Sequence, residues 1–432
     1  MEITQDLSTQ SKWNLPSLLA FRLCAIYFLL HIFPFPLYYL GLIPGLENLF
    51  SFYYDGMEIL CVWTGKNILD IPYEMYLGPT GSGDTTKDYV FEFVTIVISL
   101  IGTIIWSFID LKKANYNRLL QYITILVRYY LITIMFSYGF SKAFTLQFSE
   151  LSYFDLIKTF GDQSPMGLMW NFMEYSDTYT RFSGYAEIIA GILLIFRRTV
   201  TFGAIMIIGV MFNVFMMNMS YDIPVKLYSG LLTIMGVFLL VPDIKRILNF
   251  FILNKIVYPK TILPYFSNPK YQKAVIIFKI IIIGYFLYNN VDRSIERQEK
   301  WGKKAPKPAL YGIYEVEEFI QNNDTLLPLA TDSIRWKRLI VDKRSCGIQT
   351  MDEKIIGFKE ETDTVSKTLK LTSYADSTDV RSFSFKQKAS LFYFETVHKG
   401  DTLKIMTKKK LREDFLLINR GFHWISERPF NR

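Results

Sequence analysis

The stretch TVTFGAIMIIGVMFNVFMMNMSYDIPVKLYSGLLTIMGVFLLVP, residues 199–242, decides how the chain is read. Two uncharged apolar runs flank a short link, NMSYDIPVKLYSG, residues 218–230. Each run approaches the roughly 20 residues that a helix needs to cross bilayer hydrocarbon. Charge is confined to the link, at Asp222 and Lys226, on either side of Pro224. Two spanning helices joined by a tight turn give that pattern. Asp222 suits the N-cap of the second helix and Pro224 its first turn. A cation at Lys226 opposes the helix macrodipole. Asp222, four residues earlier, can pair with it; alternatively, Lys226 faces an outer vestibule and meets an anionic or quinone-like head group.

The same rhythm extends in both directions. Seven candidate spans are found, near 18–40, 89–109, 120–140, 182–197, 199–218, 225–241 and 274–290. Stretch 46–69 is interrupted by Asp55, Glu58 and Lys66, and reads as an amphipathic helix on the membrane surface. Half of the 432 residues are hydrophobic and only 20% are charged, with a net charge of +8. The charge is unevenly spread, since residues 300–432 are dense in Lys, Asp, Glu and Thr. This composition indicates a lipid bilayer as partner and not nucleic acid, with a membrane domain over 1–290 and a soluble domain after it. The first residues lack a basic start and a cleavage site, so the first span is expected to act as the insertion signal. Cys24, Cys61 and Cys346 form no motif and indicate neither a disulfide framework nor a zinc site.

Lysine and arginine set the orientation. Links on one side carry Lys12, Lys112, Lys113, Arg118, Arg197, Arg198, Lys245, Arg246, Lys255, Lys260, Lys270 and Lys273. The other side carries Lys66, Lys87, Lys142, Lys158 and Lys226. The richer side is cytoplasmic. Seven spans from a cytoplasmic N-terminus then place residues 291–432 outside, in a bacterial cytoplasmic (inner) membrane protein.

Residues 291–308, with the basic run GKKAPKP at 302–308, read as a stiff tether. Beyond it, LYGIYEVEEFI, SIRWKRLIVD, KIIGFKEE, KTLKLTSY, VRSFSFKQ, LFYFETV, DTLKIMT and DFLLINR are short, alternating and rich in β-branched or aromatic residues. They predict a small antiparallel β-barrel or β-meander over 309–432. His398-Lys399-Gly400-Asp401 is a hairpin turn signal. Such a barrel either holds an apolar ligand or is filled by its own side chains. The tail GFHWISERPFNR reads as a partner surface or as a final strand capped by Trp424.

Ionisable residues inside spans are costly and mark candidate sites. They are Arg22, His31, Glu92, Arg128, Lys142 and Glu187. Arg22 lies near a span end and can snorkel. Glu92 sits at an outer edge, in water. Arg128 and Glu187 reach similar depths only near mid-membrane, where they are candidates for a contact, either a structural clamp or part of a site. His31 stands alone, which argues against a bound haem or a His-rich metal centre. In GPTGSGDTTKDY, residues 78–89, the glycines around Gly83 can offer N–H groups to an anion, whereas Asp84 or Thr85 can simply cap the second span. No nucleotide loop, nucleophile elbow or metalloprotease motif is present.

YLITIMFSYGFSKAFTLQF (130–148), SPMGLMWNFMEYSDTYTRFSGYAEIIAGILLIFRRTVTFGA (164–204) and NMSYDIPVKLYSG together resemble the bacterial DoxX-type membrane proteins. TGSGDTT near the second span and LLINRGFHW near the end resemble longer relatives of that family. The resemblance is most specific over 128–243 and implies a four-helix core at about 120–243. It places Arg128, Tyr138, Lys142, Glu187, Arg197, Arg198, Asp222, Pro224 and Lys226 in the shared pattern. It also implies a link to quinone-dependent redox chemistry, and more remotely a likeness to the membrane domains of vitamin-K-dependent carboxylases. The extra spans and the outer β-domain depart from the short family pattern.

The expected architecture is an all-α polytopic membrane bundle of about seven spans followed by the β-domain. The first functional expectation is binding of a quinone or lipid-like molecule near the outer rim. Arg128 and Glu187 would form the polar centre, Lys142, Asp222 and Lys226 would line the mouth, and Tyr138 is a further ligand-binding candidate. No electron carrier is encoded, so an electron-carrying protein partner would supply one. The alternative is a non-enzymatic envelope scaffold whose β-domain engages a lipid or protein partner.

Overall fold

A computed structural model describes residues 12–258 and 268–431. The readings that fall on the first eleven residues and on Lys260 lie outside the described residues. The chain divides into two compact units. One runs up to Gln147 and resumes over Thr178–Ser294; the other combines Phe148–Asp177 with the chain from Ile295 onward.

The first unit is helical. Helix α1 (Leu15–Ile32) starts where the Asn14 side chain accepts the Ser17 N–H at 3.0 Å. It ends well short of the expected residue 40, because Pro34 and Pro36 supply no N–H to continue it. A 3₁₀ turn, Leu37–Leu42, follows. Helix α2 (Ser51–Asn67) forms over the stretch read as amphipathic. Then come α3 (Thr86–Ile109) and α4 (Asn117–Ala143). Beyond the excursion into the second unit, which holds α5 (Tyr153–Ile157) and α6 (Pro165–Tyr175), the chain forms α7 (Asp177–Ile195), α8 (Val200–Ser220), α9 (Lys226–Leu240), α10 (Ile244–Phe251) and α11 (Pro269–Lys300).

Among the described residues, six segments are helical, long and apolar enough to cross a membrane: Leu15–Gly41, Thr86–Ile109, Asn117–Ala143, Val200–Ser220, Lys226–Phe251 and Pro269–Lys300. The expected span at 182–197 forms as α7 but is not among the six, since Arg181, Glu187 and several hydroxyl residues dilute its apolar content. Phe28 of α1, Met135 and Phe136 of α4, Leu194 of α7, Ile207 of α8 and Met235 of α9 share one buried cluster. Lipid is as apolar as these side chains, so close packing holds such helices together, with small residues at the crossings. Gly139 and Gly184 mark the tightest crossing, α4 against α7.

The second unit is built on an antiparallel barrel. Its strands are β1 (Gly312–Gln321), β2 (Asp324–Thr325), β3 (Trp336–Val341), β4 (Cys346–Thr350), β5 (Ile355–Asp363), β6 (Thr368–Ser373), β7 (Val380–Lys388), β8 (Leu391–His398) and β9 (Asp401–Lys410). Neighbouring strands pair in chain order from β3 to β9, and β1 pairs with both β3 and β9. The result is a closed eight-stranded barrel with β2 appended to β1. Lys399 (φ 51°) and Gly400 (φ 92°) turn the β8–β9 hairpin as the sequence indicates. The interior is filled by its own side chains, including Tyr314, Phe319, Phe358, Phe383 and Phe394, all fully buried.

Three expectations are corrected here. Residues 414–420 make no strand: Leu416–Asn419 is a short helix, α12. Trp424 caps nothing and is 91% exposed. The span 291–308 is not a tether throughout, because α11 continues to Lys300.

Segment 148–177, between α4 and α7, belongs with the barrel and not with the bundle. Tyr153 packs with Ile313 of β1 and Ile340 of β3. The Asp342 carboxylate accepts the Tyr153 N–H. Glu150 pairs with Lys343 at 2.8 Å and with Arg412 at 3.4 Å, and Arg412 also donates to the Leu151 carbonyl at 2.6 Å. Burial raises the Glu150 carboxyl's proton affinity, but Lys343 and Arg412 outweigh it and hold the group below its ordinary value of 4.5. A carboxyl lowered on folding stabilises the unit above its ordinary value, and that contribution is lost as pH falls through the lowered one. Protease resistance of segment 148–177 is therefore expected to fall below pH 4.5, and Glu150→Gln is expected to flatten the dependence.

Candidate functional site at one end of the helical unit

The link that opened the reading is anchored from a distant loop. The Asp84 carboxylate accepts the N–H groups of Lys226 (2.8 Å) and Leu227 (3.0 Å) at the start of α9. Asp222 is not the cap; its φ is 50° and its carboxylate is 85% exposed. Its role is the expected pairing with Lys226, at 3.1 Å, while Asp84 lies 3.6 Å from the same ammonium. Two carboxylates thus offset the unfavourable cation at a helix N-terminus. The Gly83 N–H donates to the Pro224 carbonyl at 2.8 Å, so it is not offered to an anion. Thr85 caps α3 in a capping box with Asp88. Replacing Asp84 with alanine removes both acceptors at α9 and is expected to cost about 1 kcal/mol, read as a lowered melting temperature. Asp84→Asn, which keeps one acceptor, is expected to lose less.

Deeper in, Lys142 of α4 donates to Glu187 of α7 at 2.6 Å, with side chains only 8% and 1% exposed. The expected Arg128–Glu187 contact is corrected by this pair. Arg128 is fourteen residues from Lys142, or about 21 Å along a helix, so both cannot reach one carboxylate. Arg128 is buried, its Nε has no hydrogen-bond partner and its guanidinium lies 5.2 Å from the Tyr129 ring centroid. Nor does Arg22 snorkel. It is buried and donates to Tyr116 Oη (2.9 Å), Ser107 Oγ (2.8 Å) and the Asp110 carbonyl (3.1 Å).

Beside the Asp84–Lys226 anchor is a cavity of about 550 Å³. Its wall comes from the end of α1 (His31), the start of α3 (Asp88, Phe91, Glu92), α4 (Tyr138) and the start of α9 (Val225, Leu227, Tyr228). Gly81, Ser82 and Gly83 form the rim. Of the residues singled out from sequence, His31, Gly83, Glu92 and Tyr138 line this space, Asp84, Lys142 and Lys226 adjoin its lining residues, and Arg128 does not line it.

His31 is not alone. Its Nδ1 lies 3.0 Å from Glu92 Oε1, within ion-pair distance though not in hydrogen-bond alignment. Tyr27 Oη donates to Glu92 Oε2 at 2.6 Å, and the Tyr27 and His31 rings stack at 6.0 Å. Glu92 is held in this cluster by Tyr27 and His31 while also lining the cavity. The signal was available: His31 ends one span and Glu92 lies near the start of the next, so antiparallel packing brings them to one level. Behind the wall residue Tyr228, its hydroxyl meets that of Tyr130 at 3.1 Å.

The cavity thus combines aromatic faces, one imidazole and two carboxylates already engaged by neighbours. Its size suits a ring or polar head group and is too small for a whole lipid. No family model matches the chain, and no solved structure matches it. Over 124 residues the chain is 31% identical to the uncharacterized protein YwoB of Bacillus subtilis (strain 168), a match covering 29% of this chain and 79% of that protein. The chain belongs to the family of YwoB.

Proposed function

We propose that this is a DoxX-type integral membrane protein that binds the head group of a quinone or similar lipid-like molecule in the cavity walled by α1, α3, α4 and α9, supporting redox chemistry completed by an electron-carrying partner. The observation that carries this reading is the convergence of His31, Glu92, Tyr138 and Tyr228 on one head-group-sized space at the end of apolar helices. Apolar tails would lie along the exposed helix faces while the ring enters the cavity.

Sidedness is part of the proposal. Segment 148–177 and the barrel form one compact unit, which supports a common side of the bilayer for both. Helix α4 delivers the chain to that side, and the chain is back there after α11. An even number of crossings must lie between. Helices α8, α9 and α11 supply three, which supports α7 as the fourth. Its 19 residues extend about 28 Å, close to the hydrocarbon thickness. Seven crossings with lysine-rich links inside put the cavity and the β-domain on the outer face of a bacterial inner membrane.

The test is extraction. Protein purified in mild detergent is expected to carry one quinone-like molecule per chain, identified by mass spectrometry of a solvent extract. Leu227→Trp, which fills the cavity from its wall, is expected to lose it. If neither form carries more than bulk lipid, the binding reading falls and the scaffold reading takes its place.

A further inference from the structure

We propose that His31 is a proton acceptor for a hydroxyl group of the bound molecule, with Glu92 and Tyr27 as positioning residues. The inference rests on the cavity-binding reading above and names the chemistry of its ligand: a phenol-like or hydroquinone-like head group carrying an ionisable hydroxyl.

The argument begins with what faces the imidazole. From α3 come Glu92, at 3.0 Å, and Asp88. Tyr27 comes from its own helix, α1, and Tyr138 and Tyr228 come from α4 and α9. Helix α2 approaches through Tyr53, whose hydroxyl donates to the Leu30 carbonyl at 2.7 Å. The glycine rim adds no charge, and no lysine or arginine is among the lining residues. Asp88 is occupied in the α3 capping box, accepting from Thr85 Oγ1 at 2.6 Å. Glu92 is therefore the carboxylate beside His31, and Tyr27 fixes its second oxygen.

In that setting a ligand O–H bond breaks, an imidazole N–H bond forms, and the electron pair stays on the ligand oxygen. The charges then stand in a row: oxyanion, imidazolium, carboxylate. Each neighbour attracts the next, and net charge is unchanged because the proton moves only within the site. A carboxylate beside a histidine serves this purpose generally, orienting the ring and stabilising the imidazolium once it forms. No oxidant or reductant takes part in this step.

The experiment uses the full chain in detergent with a nitrophenol bearing a hydrocarbon tail, whose visible absorbance distinguishes phenol from phenolate. Bound to the unaltered protein, the probe is expected to ionise about one to three pH units lower than when bound to His31→Gln. Affinity is measured for each form, and the shift is read at probe concentrations that saturate it. Glu92→Gln is expected to give an intermediate shift, and it keeps the proposal testable should His31→Gln fail to fold. Probe that binds both forms and ionises at the same pH overturns the proton-acceptor role while leaving the binding site standing. Probe that binds neither form overturns both.

Discussion

Lys142→Ala is expected to destabilise the helical unit by about 3–5 kcal/mol, the usual cost of stripping one partner from a buried ion pair. The reason is local. Glu187 is 1% exposed and its Oε1 accepts from the Lys142 ammonium at 2.6 Å, while Oε2 has no hydrogen-bond partner. Removing the lysine leaves a carboxylate among apolar side chains with nothing to compensate it. The expected readout is a large fall in melting temperature in detergent. Replacing both residues, Lys142→Met with Glu187→Leu, is expected to recover most of the loss, because the pair's own net worth is small once both charges are gone. Stability unchanged in the single variant would mean that the pair is not buried as described.

Gly184→Val is expected to be comparably damaging by a different mechanism. A Cβ at this position would come within 2.6 Å of the Ala143 nitrogen and the Gly139 carbonyl oxygen, and 2.8 Å of Lys142 Cβ. Two of these are backbone atoms, which cannot rotate away. Overpacking of a close-packed interior costs about 1–3 kcal/mol and more where the backbone must yield. Here α4 and α7 would separate, and the Lys142–Glu187 pair one turn away would open with them. Gly209 on α8 is the control, since a Cβ there meets nothing within 4 Å. Gly209→Ala is expected to be neutral or slightly stabilising, following helix propensity. Equal effects at both positions would contradict the close crossing.

Periodicity carried much of the architecture. Apolar runs gave the long helices, and alternation gave seven of the eight barrel strands. Strand β4, CGIQT, escaped because all five residues are buried and no alternation survives. One face of it points into the barrel, and on the other Gly347 lies against the Phe154 ring of α5. That cover comes from segment 148–177, nearly two hundred residues earlier, which no local pattern reveals. Alternation also misled at DFLLINR, which is helical instead.

The site was legible in its residue types more than in its pairings. Lys142 and Glu187 stand out as charges within spans, Lys226 as a cation at a helix start and Asp84 as a cap candidate, and each is engaged. Their partners depend on which helix faces meet. Asp84 caps a helix 142 residues away, and Lys142 reaches Glu187 across the Gly139–Gly184 crossing. Depth alone pairs Arg128 with Glu187, whereas the crossing fixes the register on Lys142. His31 and Glu92 lie on different helices, and their pairing depends on α1 packing beside α3, which no local pattern reveals.

The most direct measurement is cysteine labelling with a membrane-impermeant maleimide, in a variant whose Cys24, Cys61 and Cys346 are replaced by alanine. Single cysteines would be placed at Thr80 near the cavity rim, at the fully exposed Val365 on the β-domain, and at Lys113 in a lysine-rich link. Thr80→Cys and Val365→Cys are expected to label in intact spheroplasts, and Lys113→Cys only in inverted vesicles. Val365→Cys protected in spheroplasts and labelled in inverted vesicles would contradict the seven-crossing topology and, with it, an outward-facing site.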